Sequence, residues 1–130
     1  YVIVDWHAFQ NHQAAAVNFF ANISQTFTGY PHILYETYNE PAWNESWTEL
    51  KGYHSAIINA IRANDLNNIV IVGTARSSMD VDVAATDPLN YTNVAYTLHY
   101  YPNLPQSNLN VKAQQAINMN LPIFVTEYGT

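Results

Sequence analysis

Three glutamates stand where strand-like stretches of this chain run out. Glu36 and Glu40 lie in LYETYNEP (34–41), and Glu127 lies in PIFVTEYGT (122–130). A carboxylate buried among large apolar side chains is costly unless it is paired or hydrogen-bonded. Carboxylates held in different environments can divide the work of catalysis, one protonated and one ionised. Other polar side chains keep them company: Asp5 and His7 in YVIVDWH, and Thr97, His99 and Tyr101 in VAYTLHYY. The competing explanation is that such carboxylates cap helices or pair with cations. With only 4 Lys and Arg against 10 Asp and Glu, few cations are on hand.

Side chains two apart on a strand share a face. Asp5 pairs with His7 on that rule. So do Glu36, Tyr38 and Glu40; Thr97, His99 and Tyr101; and Val125 and Glu127. Neighbouring parallel strands would draw these sets together at one end of a sheet. By the same parity Glu36 sits one layer deeper than Glu40, and a structural role is expected for it, with a neighbouring histidine as one candidate partner. His7 has a plainer reading as a core histidine held by Asp5, and His99 with Tyr101 as an aromatic core layer.

The elements that must position these residues are five apolar runs: YVIVDWH, HILYETYNEP, NIVIVGT, VAYTLHYY and PIFVTEYGT. Nearly continuous apolar runs of this length read as parallel strands covered on both faces. Helical patterns alternate with them. Residues 12–24 place Ala14, Val17, Ala21 and Ile23 roughly on one face, with Gly29 and Pro31 beyond. Residues 45–64 align Leu50, Tyr53, Ile57 and Ile61. Residues 108–118 carry a weaker stripe of Val111, Gln115 and Ile117. Residues 75–93 read as a long loop with at most one helical turn. Alternation of strand and helix predicts an α/β fold with a parallel sheet in one domain over 1–130, its functional side chains at the C-terminal strand ends.

Composition narrows the partners. A net charge of −6 leaves no phosphate-neutralising surface, so nucleic acid is not expected. No apolar run reaches the length of a membrane helix. With no cysteine, and with His12, His32 and His54 scattered, neither a metal site nor a cofactor is expected. Aromatic residues make up 14% of the chain, 10 of them Tyr and 3 Trp, which suits a neutral polyhydroxyl ligand stacking on rings. Trp47 opens a helix and is read as packing; Trp43 follows the NEP turn and is a candidate cleft residue.

The ordered set VIVDWH, NEP, IVIVGT, DVDVAATDPL, TLHYY and IFVTEYGT resembles the glycoside hydrolase family 5 endoglucanases of clan A over essentially the whole chain. The resemblance implies a (β/α)8 barrel of which this chain matches the third to seventh strands. It implies Glu40 as acid/base, Glu127 as nucleophile, Asn39 as a contact to the sugar 2-hydroxyl, Tyr101 as a hydrogen-bond partner of the nucleophile, and His7 and His99 as cleft residues. It also implies a β-1,4-glucan substrate, with mannan a lesser alternative, and an extracellular, secreted protein. A second-strand arginine, in a full barrel the other candidate partner of Glu36, and an eighth-strand tryptophan of the family have no counterpart, and a tryptophan after the fifth strand is replaced by Ser77. Retaining hydrolysis needs the two carboxylates about 5–5.5 Å apart.

Five strands of eight are expected to be a partial barrel, an interior section of a longer one. Such a section could flatten into an open sheet, with its inward face meeting water, or be completed by self-association into a homo-oligomer. An active endoglucanase and an inactive segment that at most binds β-glucan both remain open at this point.

Overall fold

The computed structural model describes residues 1–101, 103 and 108–129. Thr130, the last residue of the PIFVTEYGT run, lies outside them. Five strands, β1 (Val2–Asp5), β2 (Ile33–Glu36), β3 (Val70–Val72), β4 (Val94–Tyr100) and β5 (Ile123–Tyr128), form one sheet in the order of the chain, every neighbouring pair parallel. The helices are α1 (Gln13–Thr26), α2 (Trp47–Arg62), α3 (Ala75–Ser78), α4 (Val81–Thr86) and α5 (Leu109–Asn118).

Alternation along the strands divides them between two faces. Ile33, Tyr35, Val70, Val72, Val94, Tyr96 and Leu98 join the apolar core beneath the helices. Leu34, Glu36, Ile71, Ala95, Thr97 and His99 take the opposite, inner face. The helix layer is dominated by α2, whose Leu50, Tyr53, Ile57 and Ile61 are buried as their spacing predicts. Ser46 caps this helix and Glu49 returns the bond to the Ser46 backbone, a reciprocal capping box. Trp47 is buried at the head of the helix, its indole N–H donating to the Asp87 carbonyl at 2.9 Å.

The sheet is curled, not flat. Thr126 on β5 donates to Glu36 Oε1 on β2 at 2.7 Å, although β3 and β4 lie between them. Three strand spacings amount to roughly 14 Å in a flat sheet, beyond the combined reach of a glutamate and a threonine side chain. Strong curvature closes that gap, as in part of a barrel. The curl corrects the expectation of a wet inner face for the middle strands, where Leu34, Ile71, Ala95, Thr97 and His99 are all buried because the concave wall covers itself, while Ile3, level with Leu34 on the outermost strand, is exposed as expected. Within the sheet, the exposed large apolar side chains lie on the two outermost strands, at Val2 and Ile3 and at Val125 and Tyr128.

Three other expectations need correction. The 75–93 segment is not a plain loop: α4 forms because Val81, Ala84 and Ala85 follow i, i+3, i+4 spacing and are buried. The stripe on α5 faces the wrong way; Leu109 and Ala116 are buried while Val111 and Ile117 are exposed. On α1 the deepest residues are Ala16, Phe20 and Ser24, a face rotated from the expected one, with Ala14 exposed.

Candidate functional site

β2 ends at Glu36, and the chain then leaves the regular strand. Both Thr37 and Tyr38 pack toward the helix layer. Thr37 Oγ1 meets His54 Nδ1 at 2.9 Å, and the Tyr38 hydroxyl donates to Glu45 at 2.9 Å. The alternation that would have put Tyr38 on the face of Glu36 and Glu40 is therefore broken. Glu40 reaches the inner side through the turn that follows. That turn is held by backbone bonds from Asn39 N–H to the Trp6 carbonyl, 3.1 Å, and from Glu40 N–H to the Ala8 carbonyl, 3.2 Å.

Two further supports fix the turn. His54, fully buried on α2, places Nε2 2.9 Å from the Gly73 carbonyl while its Nδ1 meets Thr37. Gly73 must be glycine, since a Cβ there would lie 2.2 Å from the Tyr38 carbonyl oxygen. From the other side come Ser77 N–H to the Pro41 carbonyl, 3.0 Å, and Ser78 Oγ to the Asn39 carbonyl, 2.7 Å. These serines and Arg76 have φ of 53° to 59°, three left-handed residues in a row without a glycine. Each costs roughly 1–2 kcal/mol, a strain that the bonds to the turn and the Asp80 interactions with Arg76 and Lys112 help to offset.

Glu127 is delivered by a bulge. Thr97 pairs with Phe124 and His99 with Glu127, so two steps on β4 face three on β5. A bulge re-aims side chains, and here it overturns the simple alternation of β5. Thr126, not Val125, joins Glu36 on the inner side, and Glu127 is turned toward His99 and Tyr101. On β4 the alternation holds. Thr97 donates to Glu36 at 3.1 Å, His99 Nδ1 lies 3.1 Å from Glu40 Oε1 and 3.9 Å from Glu127 Oε2, and the Tyr101 hydroxyl donates to Glu127 Oε1.

Oxygens of Glu40 and Glu127 and a nitrogen of His99 thus lie within 4.8 Å of one another. His99 is 1% exposed, whereas the Glu40 and Glu127 side chains are 25% and 38% exposed, so solvent reaches the carboxylates past a buried imidazole. Among the described residues this trio is also the one set able to offer ligand atoms to a metal ion. Beneath it Glu36 is buried, and its carboxyl is raised above the usual range by burial, with the Thr126 hydrogen bond opposing and the nearby Asp5 charge adding. Burial also raises Asp5, against the pull of its hydrogen bond to His7. The Tyr101 phenol is raised by its hydrogen bond to Glu127.

The remaining expected site residues fall around this centre. His7 is mostly exposed and bonds Asp5 at 2.8 Å, its ring edge-on to Phe9, so it is not a buried core histidine. Asn39 is buried beside Glu40. Trp43 projects into solvent, with the Arg76 guanidinium over its ring.

The family model for cellulases of glycosyl hydrolase family 5 matches residues 1–130. The chain belongs to that family. Endoglucanase Z of Dickeya dadantii is 43% identical over 133 residues, covering 100% of this chain and 31% of its own length. An endoglucanase of Clostridium saccharobutylicum is 41% identical over 136 residues, with 30% of its length covered. The catalytic domain of an endoglucanase from Thermobifida fusca superposes with a TM-score of 0.89 at 33% identity, over 100% of this chain and 46% of that one. This family 5 chain therefore spans about a third of the length of the curated relatives it matches.

Sequence reasoning missed four participants in the site of this cellulase-family chain. Thr97 and Thr126 are the partners of Glu36, where an arginine or histidine was expected. Thr97 was already on the right face by alternation; Thr126 was hidden by the bulge. His54 was dismissed with the scattered histidines, though its place on the α2 stripe beside Tyr53 marked it as buried. Arg76 carried no signal, because nothing in the sequence announces a left-handed turn built without glycine.

Proposed function

We propose that the chain is a retaining endo-β-1,4-glucanase, with residues 1–130 acting as one partial-barrel domain. Glu40 is the acid/base and Glu127 the nucleophile. The observation that carries this reading is the separation of the two carboxylates. Their oxygens approach within 4.8 Å, close to the roughly 5–5.5 Å of double displacement and short of the roughly 6.5–9.5 Å that an inverting enzyme needs for its water. Its named relatives are endoglucanases, and a structure of the Thermobifida fusca domain holds cellotetraose. The reading carries with it the extracellular location of a secreted polysaccharide hydrolase.

In the first step Glu40, as the acid, gives its proton to the glycosidic oxygen while Glu127 attacks the anomeric carbon, forming a glycosyl ester and releasing the leaving chain. In the second, Glu40 takes a proton from water, which opens the ester and frees Glu127. The Tyr101 hydroxyl, donating to Glu127 Oε1, steadies that carboxylate and leaves Oε2 for attack. His99 Nδ1 at Glu40 Oε1 fixes the acid's rotamer. Asn39 is assigned to the sugar 2-hydroxyl, and His7 and Trp43 to the cleft wall.

Binding of β-glucan without turnover is the second reading. What favours it is that, among the described residues, no Lys or Arg bonds Glu40 or Glu127. One experiment decides between the two. Reducing-end release from carboxymethylcellulose is measured for the native chain and for Glu127→Gln, with the anomer of the first product read by NMR. The native chain is expected to release β-anomer, and the variant to be slower by on the order of a thousandfold. Equal rates would leave only the binding reading, and an α-anomer would reject double displacement.

A further inference from the structure

Trp43 is 68% exposed, a large apolar surface left in water two residues beyond Pro41. It is not isolated. Arg76 Cζ stands over its ring, 5.8 Å from the centroid. Arg76 opens the left-handed turn of residues 76–78, a conformation that L-residues adopt only when their surroundings impose it. What imposes it here is the segment carrying Glu40, through Ser77 to Pro41 and Ser78 to Asn39. The turn throws the guanidinium back over the indole.

The four cationic side chains are engaged very differently. Lys51 pairs with Asp87 and Lys112 with Asp80. Arg62 donates to four backbone carbonyls. Arg76 touches Asp80 only through Nε at 3.5 Å. Among the described residues its two terminal nitrogens make no hydrogen bond, and more than half of the side chain is exposed. An open indole face beside unspent N–H donors suits a pyranose: the ring C–H groups stack and the hydroxyls at the rim accept.

We propose that Trp43 and Arg76 form a platform for a neutral β-glucosyl unit on the leaving-group side of the scissile linkage. This deepens the hydrolase reading and rests on it. The side follows from the attachment. The platform is tied to the turn that carries the proton donor, which works on the leaving oxygen, and not to β5, which carries the nucleophile. Trp43 is three residue steps from Glu40, at most about 11 Å of chain, so the first units beyond the linkage are in reach. A neutral sugar fits better than an anionic one, because Glu40, Glu127, Asp5 and Glu36 share this end of the sheet and the chain carries −6 overall.

The test is calorimetric titration of the full chain with cellohexaose, in a Glu127→Gln background that suppresses turnover during the titration. Trp43→Ala and Arg76→Gly are each expected to weaken binding three- to tenfold. Arg76→Gly should at the same time hold or raise the melting temperature, since glycine relieves the positive φ. A merely structural arginine would move both readouts down. Cellohexaose affinity unchanged in both variants, or no binding by the parent, overturns the platform. Hydrolysis of carboxymethylcellulose by the native chain is scored separately. Turnover with unchanged variant affinity sinks the platform and spares the hydrolase. Weakened binding without turnover keeps the sugar platform and sinks the hydrolase.

Discussion

His54 makes the Glu40 turn acid-sensitive from behind. The imidazole is fully buried, and burial lowers its pKa from 6.5 to about 4, with the Gly73 carbonyl partly opposing. The hydrogen bonds assign the neutral tautomer. Nε2–H donates to the Gly73 carbonyl, and Nδ1 accepts from the Thr37 hydroxyl. Protonation adds the ring's second N–H, at Nδ1, and Thr37 must then turn its own hydrogen to the Ile71 carbonyl, 3.2 Å away. The bond survives, so the loss is desolvation of the charge. Packed against the ring are the Tyr53 edge at 5.3 Å and Trp47 at 6.2 Å, which offer no counter-charge. Between the folded and unfolded pKa values the unfolded chain binds more protons, so stability falls as pH falls. The linkage relation gives about 2 kcal/mol lost from pH 7 to pH 5 and about 3 kcal/mol by pH 4. Other titrating groups are removed by comparison with His54→Gln, which keeps one donor and one acceptor but cannot be charged. Urea unfolding followed by tryptophan fluorescence should show the native chain ahead by about 1–2 kcal/mol at pH 7, with the lead gone near pH 5. Parallel stability curves for the two proteins would refute the assignment of a buried, neutral His54.

Two further substitutions probe the inner layers. Thr126→Val removes one of the two hydroxyls on Glu36 and should cost about 1.5–3 kcal/mol. Because the Glu36 carboxyl is already raised by burial, that cost should be small in acid, where Glu36 is protonated, and grow as pH rises through its folded pKa; a pH-independent urea midpoint difference would contradict this. Gly129→Ala places a Cβ 2.6 Å from Tyr101 Cε1, pushing the phenol off Glu127. Carbon-13 NMR titration of Tyr101 should then move from its raised value back toward 10, and turnover should fall; an unmoved titration would mean the ring can yield without losing its partner.

Much of the architecture was legible because burial writes itself into spacing. Leu50, Tyr53, Ile57 and Ile61 predicted α2 to within two residues at each end. The five apolar runs predicted the five parallel strands, and the alternation of Thr97, His99 and Tyr101 predicted an inner row that bonds, in turn, Glu36, Glu40 and Glu127. Regular strands obey a rule of two, and β4 is the longest regular strand here. The α5 stripe failed because its apolar residues do not all serve burial: Val111 and Ile117 are exposed while small Ala116 is buried.

The alternation failed where the site is made. After Glu36 the chain abandons the pleat, so Thr37 and Tyr38 both turn to the helices and only then does Glu40 swing inward. On β5 an extra residue shifts the register, and Thr126 and Glu127 serve two different layers from adjacent positions. Both departures act in the same sense. Strict alternation on β2 and β5 would have placed Glu36 with Glu40, and Val125 with Glu127, each pair on one straight face. The irregular strand end and the bulge instead separate a deep carboxylate, closed off by two threonines, from a shallower pair left open to solvent. Curvature supplies the remaining requirement, because strands three spacings apart in a flat sheet could not bring Glu40 and Glu127 together. Regular pattern builds the wall. The three breaks in regularity, a frayed strand end, a bulge and a left-handed turn, aim the groups that could work there. A site of this kind is read from sequence through its residue types sooner than through its geometry, since each break costs stability locally and is held only by contacts from distant parts of the chain.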